Sequence, residues 1–188
     1  MYYLPYGIDY TKYNSDSGMS TRHFGPNLWD FLFTSILGRY PIIIDSSNTE
    51  HHIISKSFYN MINNLQYILP CVYCRNSFSQ FLIEFPLTSY YLKGRFELFY
   101  WLYLMKDKIN KKLIDQENIL IEYKTRKYKN CYDNDREKCY RKIKNIEVKY
   151  RKTIPTPSFE QVLDKYEKYR AVCHDKTKTC TIIDQNNY

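Results

Sequence analysis

Two cysteines separated by two residues, Cys71 and Cys74, sit in the stretch YILPCVYCRNSFSQFLIEF, residues 67–85, and are the side chains best placed to do chemistry. After Cys74, the residues Phe78, Phe81, Leu82 and Phe85 recur at i, i+3, i+4 and i+7, which is one buried helical stripe, and Pro86 stops it. Pro70 suits the first helical turn. A helix start aims unpaired N–H groups and a positive dipole end at the thiols, and Arg75 adds a full charge; both effects favour thiolate over thiol. A disulfide across so short a loop adds only about 2 kcal/mol by chain entropy, so stability is a weak reason for the pair and reactivity a better one. The competing reading is half of a zinc site, which needs two more thiolates or histidines. No second CxxC exists, although Cys131, Cys139, Cys173 and Cys180 are available to complete one. An inert pair is the third reading.

The elements that must position this pair are helical. In FGPNLWDFLFTSILGRYP, Pro26 suits a helix start, Leu28, Leu32 and Ser35 or Ile36 trace an inner stripe, and Gly38 with Pro41 ends it. Trp29 and Phe33 form an i, i+4 pair whose simplest reading is core packing. The segment 42–52 reads as a loop with His51 and His52 solvated. A second helix is expected from Ile53 to Leu69, on the spacing of Ile54, Phe58, Met61, Ile62, Leu65 and Leu69. The third follows the CxxC. A fourth, Arg95 to Leu113, has Leu98, Leu102, Met105, Ile109 and Leu113 inside, with Lys106 and Asn110 one turn apart on another face, either a solvated surface or an anion grip. Ser158 as N-cap with Gln161 three residues on opens a fifth helix, with Phe159, Val162, Leu163 and Tyr166 as its stripe.

The expected class is therefore all-α, in four parts: a leader over 1–23, a four-helix bundle carrying the CxxC over 24–113, a basic cysteine-containing insertion over 114–152, and the fifth helix with a tail over 153–188. At 188 residues the chain can bury one core. No apolar run approaches the roughly 20 residues of a membrane-spanning helix, so membrane insertion is not expected. The N-terminus has neither the basic start nor the apolar centre of a secretory signal. Six cysteines without such a signal suggest a pathway that makes its own oxidising equivalents. A net charge of +8 permits association with acidic surfaces. Tyr interleaved with Lys and Arg over 114–152 is also what a single-stranded nucleic-acid groove contains, but no RNA-binding motif accompanies it, and nucleic acid is not the expected partner.

These motifs, in this order, resemble the Erv/ALR family of FAD-linked sulfhydryl oxidases. The family's GPxLWxxLH followed by YP is similar to Gly25, Pro26, Leu28, Trp29, Leu32 and then Tyr40 and Pro41; its PCxxC with an apolar helix resembles Pro70 to Phe85; its WxxxxHNxVNxxL resembles Trp101 to Leu113; its PSFxxV resembles the fifth helix. The resemblance covers residues 24–113 and 153–173. Phe33 stands where the family has His, Lys106 and Asp107 where it has His-Asn, the Phe33 to Tyr40 spacing is one residue longer, and the family's structural cysteine spacing is absent.

The resemblance implies FAD bound in the bundle, with Gly25, Trp29, Phe33, Tyr40, Cys74, Lys106, Asp107, Asn110 and Lys112 as cofactor contacts. Phe33 would offer an aromatic face and Lys106 a point charge to phosphate. It also implies a homodimer through the first helices, thiol-containing protein substrates, and molecular oxygen as acceptor giving hydrogen peroxide. Cys71 would be the interchange thiol and Cys74 the one nearest the flavin, with Cys131 and Cys139 as relay and Cys173 and Cys180 as structural pair; four cysteines allow three pairings. The Lys, Ile, Asn and Tyr bias favours the family's large-DNA-virus branch, hence virion or infected-cell cytoplasm, with the mitochondrial intermembrane space as alternative. The rival readings are an oxidase-like scaffold without FAD that binds partners through its basic arm, and a zinc-binding helical module.

Overall fold

The computed structural model describes residues 17–128, 135–174 and 179–182. Its helices are α1 (Thr21–Arg39), α2 (Thr49–Ile68), α3 (Val72–Glu84), α4 (Arg95–Thr125), α5 (Arg136–Tyr150) and α6 (Phe159–Glu167). A two-stranded antiparallel ribbon, β1 (Ala171–His174) with β2 (Thr179–Ile182), joins them, so the helical class stands with one small addition. No helix is long and apolar enough to cross a membrane among the described residues. Two compact units divide the chain: one runs to Trp101 and resumes at Tyr166, the other is Leu102–Lys165. The sequence-expected boundaries at 23, 113 and 152 do not coincide with that division.

In the first unit most residues of the stripes read from spacing are buried, while Leu28, Met61, Phe81 and Phe85 are half-buried, and Phe33, Phe99 and Trp101 join the core from outside those stripes. Leu32, Phe33 and Ile36 from α1, Ile62 from α2, and Leu98, Phe99 and Trp101 from α4 are at most 1% exposed. The loops at one end are tied through Tyr40. Its hydroxyl donates to Leu92 O at 2.8 Å and lies 3.0 Å from Ser55 Oγ, whose own proton is free to point at the phenol oxygen, and its carbonyl accepts from Arg95 Nε at 2.7 Å. Burial pushes the Tyr40 phenol up from its usual range, Ser55 opposes this, and Glu97 adds to it.

Three helix bounds differ from those expected. α1 starts at Thr21, ahead of Pro26, because its first turn is held by contacts with the CxxC segment described below. α2 starts at Thr49, because Asn48 Oδ1 accepts from the N–H groups of Glu50 and His51. His51 and His52 are accordingly not simply solvated: His51 Nδ1 accepts from the Asp45 N–H at 3.0 Å, and His52 Nε2 lies 2.7 Å from Ser46 O. α4 runs to Thr125 rather than Leu113, burying Ile121 and Thr125, whose hydroxyl bonds back to Ile121 O at 2.8 Å.

The second unit is organised by three α4 residues spaced by seven, so that they lie along one face. Glu117 accepts from the backbone N–H of Lys152 and of Thr153, and from Thr153 Oγ1 at 2.8 Å. Asn110 Nδ2 donates to Thr156 Oγ1 at 2.9 Å. Tyr103 donates to Pro157 O at 3.1 Å and meets Phe159 edge-on at 5.5 Å. This ladder holds the segment that leads into α6. The capping box is present there: Ser158 N–H donates to Gln161 Oε1 at 3.0 Å, and Gln161 N–H to Ser158 Oγ at 3.3 Å. Polar side chains therefore do the organising where the charge-rich sequence reads as an insertion.

Candidate active site

Cys71 is the N-cap of α3, not a residue inside it, and Pro70 precedes the helix. The cap turns the thiol toward the open N–H groups of the first turn: Cys71 Sγ accepts from the Cys74 N–H at 3.3 Å. Both thiols are reduced; Cys71 is buried and Cys74 half-buried. Burial raises the Cys71 pKa, but hydrogen bonds from the Cys74 thiol and N–H, the Thr21 hydroxyl and the Tyr73 N–H outweigh it, so the thiol sits below its ordinary range.

Arg75 does not act as the sequence suggested. Its Nη1 donates to Leu69 O at 2.6 Å, covering a carbonyl at the end of α2. The charge expected at the thiol is engaged with a helix terminus, and hydrogen bonding is what lowers Cys71.

The segment Ser17–Ser20, expected to be part of a surface leader, is a strap across the start of the CxxC segment. Met19 N–H donates to Pro70 O at 2.8 Å, Val72 N–H donates to Ser17 O at 3.2 Å, and Gly18 forms an antiparallel bridge with Cys71. Thr21 Oγ1 then lies 3.1 Å from Cys74 Sγ. Gly18 has φ +76°, and a Cβ there would stand 1.8 Å from Pro70 O. A Gly18→Ala chain is expected to release the strap, since strain of about 1 to 3 kcal/mol at such a backbone angle combines with that clash. Amide exchange at Met19 and Val72 would accelerate by about tenfold or more, and unchanged protection would show that the strap tolerates a side chain.

The remaining site residues fall in two groups. Gly25, Trp29 and Phe33 occupy successive turns of α1. Trp29 is half-buried, whereas Phe33 is fully covered: Phe99 at 4.8 Å, a stacked Tyr166 at 4.9 Å and Trp29 at 6.2 Å surround its ring. Tyr40 is equally covered. Lys106, Asp107, Asn110 and Lys112 lie in the second unit, half-buried on α4. Asp107 pairs with Lys111 at 2.6 Å, and Asn110 donates to Thr156, a contact that serves the scaffold. Trp101, quoted from the sequence only within a motif, is a further candidate. It is fully buried, stacks on Phe85 at 5.9 Å, and its Nε1 has no hydrogen-bond partner among the described residues. A buried donor left unpaired costs about 1 to 3 kcal/mol, which marks a place where a ligand acceptor would be stabilising.

Of the other cysteines, Cys139 is buried on α5 and disulfide-bonded, and Cys131 lies outside the described residues. The ribbon register puts Cys173 opposite Cys180. Residues so opposed have Cα atoms about 4.5 to 5.5 Å apart, within the range of a disulfide.

The chain is similar to known proteins. Over 83 residues the chain is 34% identical to the Acanthamoeba polyphaga mimivirus protein named "Probable FAD-linked sulfhydryl oxidase R368", a match covering 44% of this chain and 53% of that protein. The chain thus spans about half the length of this curated relative. The crystal structure of the yeast Erv1 core aligns with 58% of the chain and 84% of its own length, at 20% identity and a TM-score of 0.41. The model of the Erv1/Alr family matches residues 26–132, continuing past Leu113 into the stretch that reads as an insertion. With Pro26, the CxxC and the whole of α4 inside that match, which takes in more than half of its residues, the chain belongs to the Erv1/Alr family.

Proposed function

We propose that the chain is an FAD-linked sulfhydryl oxidase that forms disulfides in thiol-containing protein substrates. The observation that carries this is the CxxC itself: a reduced pair at a helix start, with Cys71 held below the usual thiol range by converging hydrogen bonds. Cys71 would exchange with the incoming thiol, and Cys74 would be the cysteine that faces the cofactor. When bound, FAD supplies the two-electron chemistry that links the dithiol to molecular oxygen, with hydrogen peroxide as product.

The residues present fit such a group. The Trp101 indole N–H, which has no hydrogen-bond partner among the described residues, is a donor suited to a ligand acceptor, and Trp29 and Cys74 are half-buried. Phe33 and Tyr40, fully covered, would support the site from within the core, beside Gly25. From the family resemblance, Lys106 and Lys112 would supply charge to the cofactor's phosphates, while Asp107 and Asn110 have partners of their own. Two copies would pack through α1, on which Phe31 is 56% exposed. Cys131 with Cys139 would relay electrons from substrate, and Cys173 with Cys180 would close the ribbon.

Purified protein should be yellow, with flavin absorbance, and should consume oxygen in the presence of dithiothreitol. Lys106→Glu is expected to lower flavin per protein about tenfold, by reversing a charge offered to phosphate. Lys149→Glu, on the exposed face of α5, should leave it unchanged. A colourless wild-type protein with no oxygen uptake would favour the scaffold reading, and equal flavin in both variants would return Lys106 to a surface role.

A further inference from the structure

The family match begins at residue 26, and Thr21 lies before it. The side chain nonetheless reaches the redox pair. Thr21 Oγ1 is 3.1 Å from Cys74 Sγ, at a sulfur contact distance short enough for a hydrogen bond. Three features hold it there. The strap fixes the chain immediately before it, through Met19 N–H to Pro70 O and Val72 N–H to Ser17 O. Thr21 is then the first residue of α1, where its backbone is helical. One turn on, Gly25 leaves space over it: a Cβ at Gly25 would lie 3.3 Å from Thr21 Cγ2.

We propose that Thr21 belongs to the redox centre, and that its hydroxyl donates a hydrogen bond to Cys74 Sγ when that sulfur becomes the leaving thiolate of disulfide exchange. The proposal rests on the reading of the CxxC as the exchanging pair. In that step a substrate thiolate attacks Cys71 Sγ of the oxidised pair. The Cys71–Cys74 S–S bond breaks, a substrate–Cys71 S–S bond forms, and the electron pair of the broken bond stays on Cys74. One thiolate is consumed and one is produced, with no proton and no outside oxidant. Exchange is faster when the leaving thiolate is stabilised. A hydroxyl is suited to that task, since it can turn its proton toward a charged sulfur and away from a disulfide. The same hydroxyl is among the hydrogen bonds that hold the Cys71 thiol down, after burial, which acts in the opposite sense.

The test is the pH profile of iodoacetamide alkylation of the reduced full-length chain, with Cys71 and Cys74 located by peptide mass. The two thiols interact, so the lower midpoint is a property of the pair. Thr21→Val removes the hydroxyl at nearly constant shape. It is expected to reduce the first proton dissociation constant about five- to tenfold, moving the midpoint to higher pH. Thr21→Ser keeps the hydroxyl and should stay within about twofold of wild type. A Thr21→Val profile that coincides with wild type would overturn the proposal. So would a Thr21→Ser shift as large as that of Thr21→Val, because it would trace the effect to the side chain's shape. Alkylation needs neither FAD nor oxygen, so failure of the oxidase reading and failure of this inference give different results.

Discussion

Replacing either Cys71 or Cys74 by serine is expected to reduce oxygen consumption with dithiothreitol by at least about a hundredfold, because a hydroxyl neither attacks a disulfide nor forms one. The two losses share one origin: without either cysteine the Cys71–Cys74 disulfide cannot form, and a lone thiol offers an incoming thiolate no S–S bond to attack. The surviving cysteine of each variant should remain a thiol, open to alkylation. Flavin content should be retained in both variants, since neither sulfur is the main anchor of a cofactor. Near wild-type turnover in either would remove the CxxC from the mechanism. The wild-type pair carries a further expectation: hydrogen bonding depresses the Cys71 pKa, so its thiolate should persist as pH falls below the ordinary thiol value of about 8.5. The sign follows from which form is stabilised. The thiolate fraction gained over an ordinary thiol is therefore greatest between the depressed value and the ordinary one, vanishes above the ordinary value, and is lost as pH drops through the depressed one.

Phe33→Ala should be the most destabilising single change at the site, by about 3 to 5 kcal/mol. Its ring is fully covered and touches Phe99, Tyr166 and Trp29, so truncation leaves a void between α1, α4 and α6 residues of one unit. The Tyr166 hydroxyl, donating to Asp30 at 2.7 Å, cannot follow the vacated ring without giving up that bond. Burial and the bond to Asp30 both push the Tyr166 phenol up, so it remains a donor throughout the working pH range. Denaturant unfolding, in excess FAD and after its removal, separates core packing from cofactor contact. A loss below about 1 kcal/mol in the FAD-free protein, together with loss of flavin, would put the ring against the cofactor instead.

The stripes of α2, α3 and α6 were legible because apolar residues at helical spacing have one economical arrangement, and Ile54, Phe58, Ile62, Leu65, Phe78, Leu82, Val162 and Tyr166 are buried as that arrangement requires. The capping box at Ser158 was legible for a similar reason: two side chains at a fixed offset specify two bonds. The strap was not legible, because it acts through backbone N–H and C=O groups that every residue has; Gly18 was the single hint, and its left-handed angle shows only in the fold. The end of α4 was misread because Tyr103, Asn110 and Glu117 stabilise it with hydrogen bonds, which leave no trace in an apolar count. Arg75 was misjudged for a simpler reason: a charge near a thiol in sequence had a carbonyl within closer reach.

The strap also has a consequence for how the protein matures. Thr21 and Cys74 are 53 residues apart in the chain, so their contact closes a long loop. Loop closure of that size is an entropic cost that only the folded unit offsets, and contacts of such separation tend to form late. Until then Cys74 lacks the Thr21 contact and Cys71 the cover of residues 17–20, and the pair behaves as ordinary thiols. A chain still emerging from the ribosome, or one that has lost its tertiary structure, would therefore carry a slow cysteine pair in place of a fast one. Reactivity is delivered with the native state, which limits mispairing with other cysteines of the same chain while it folds.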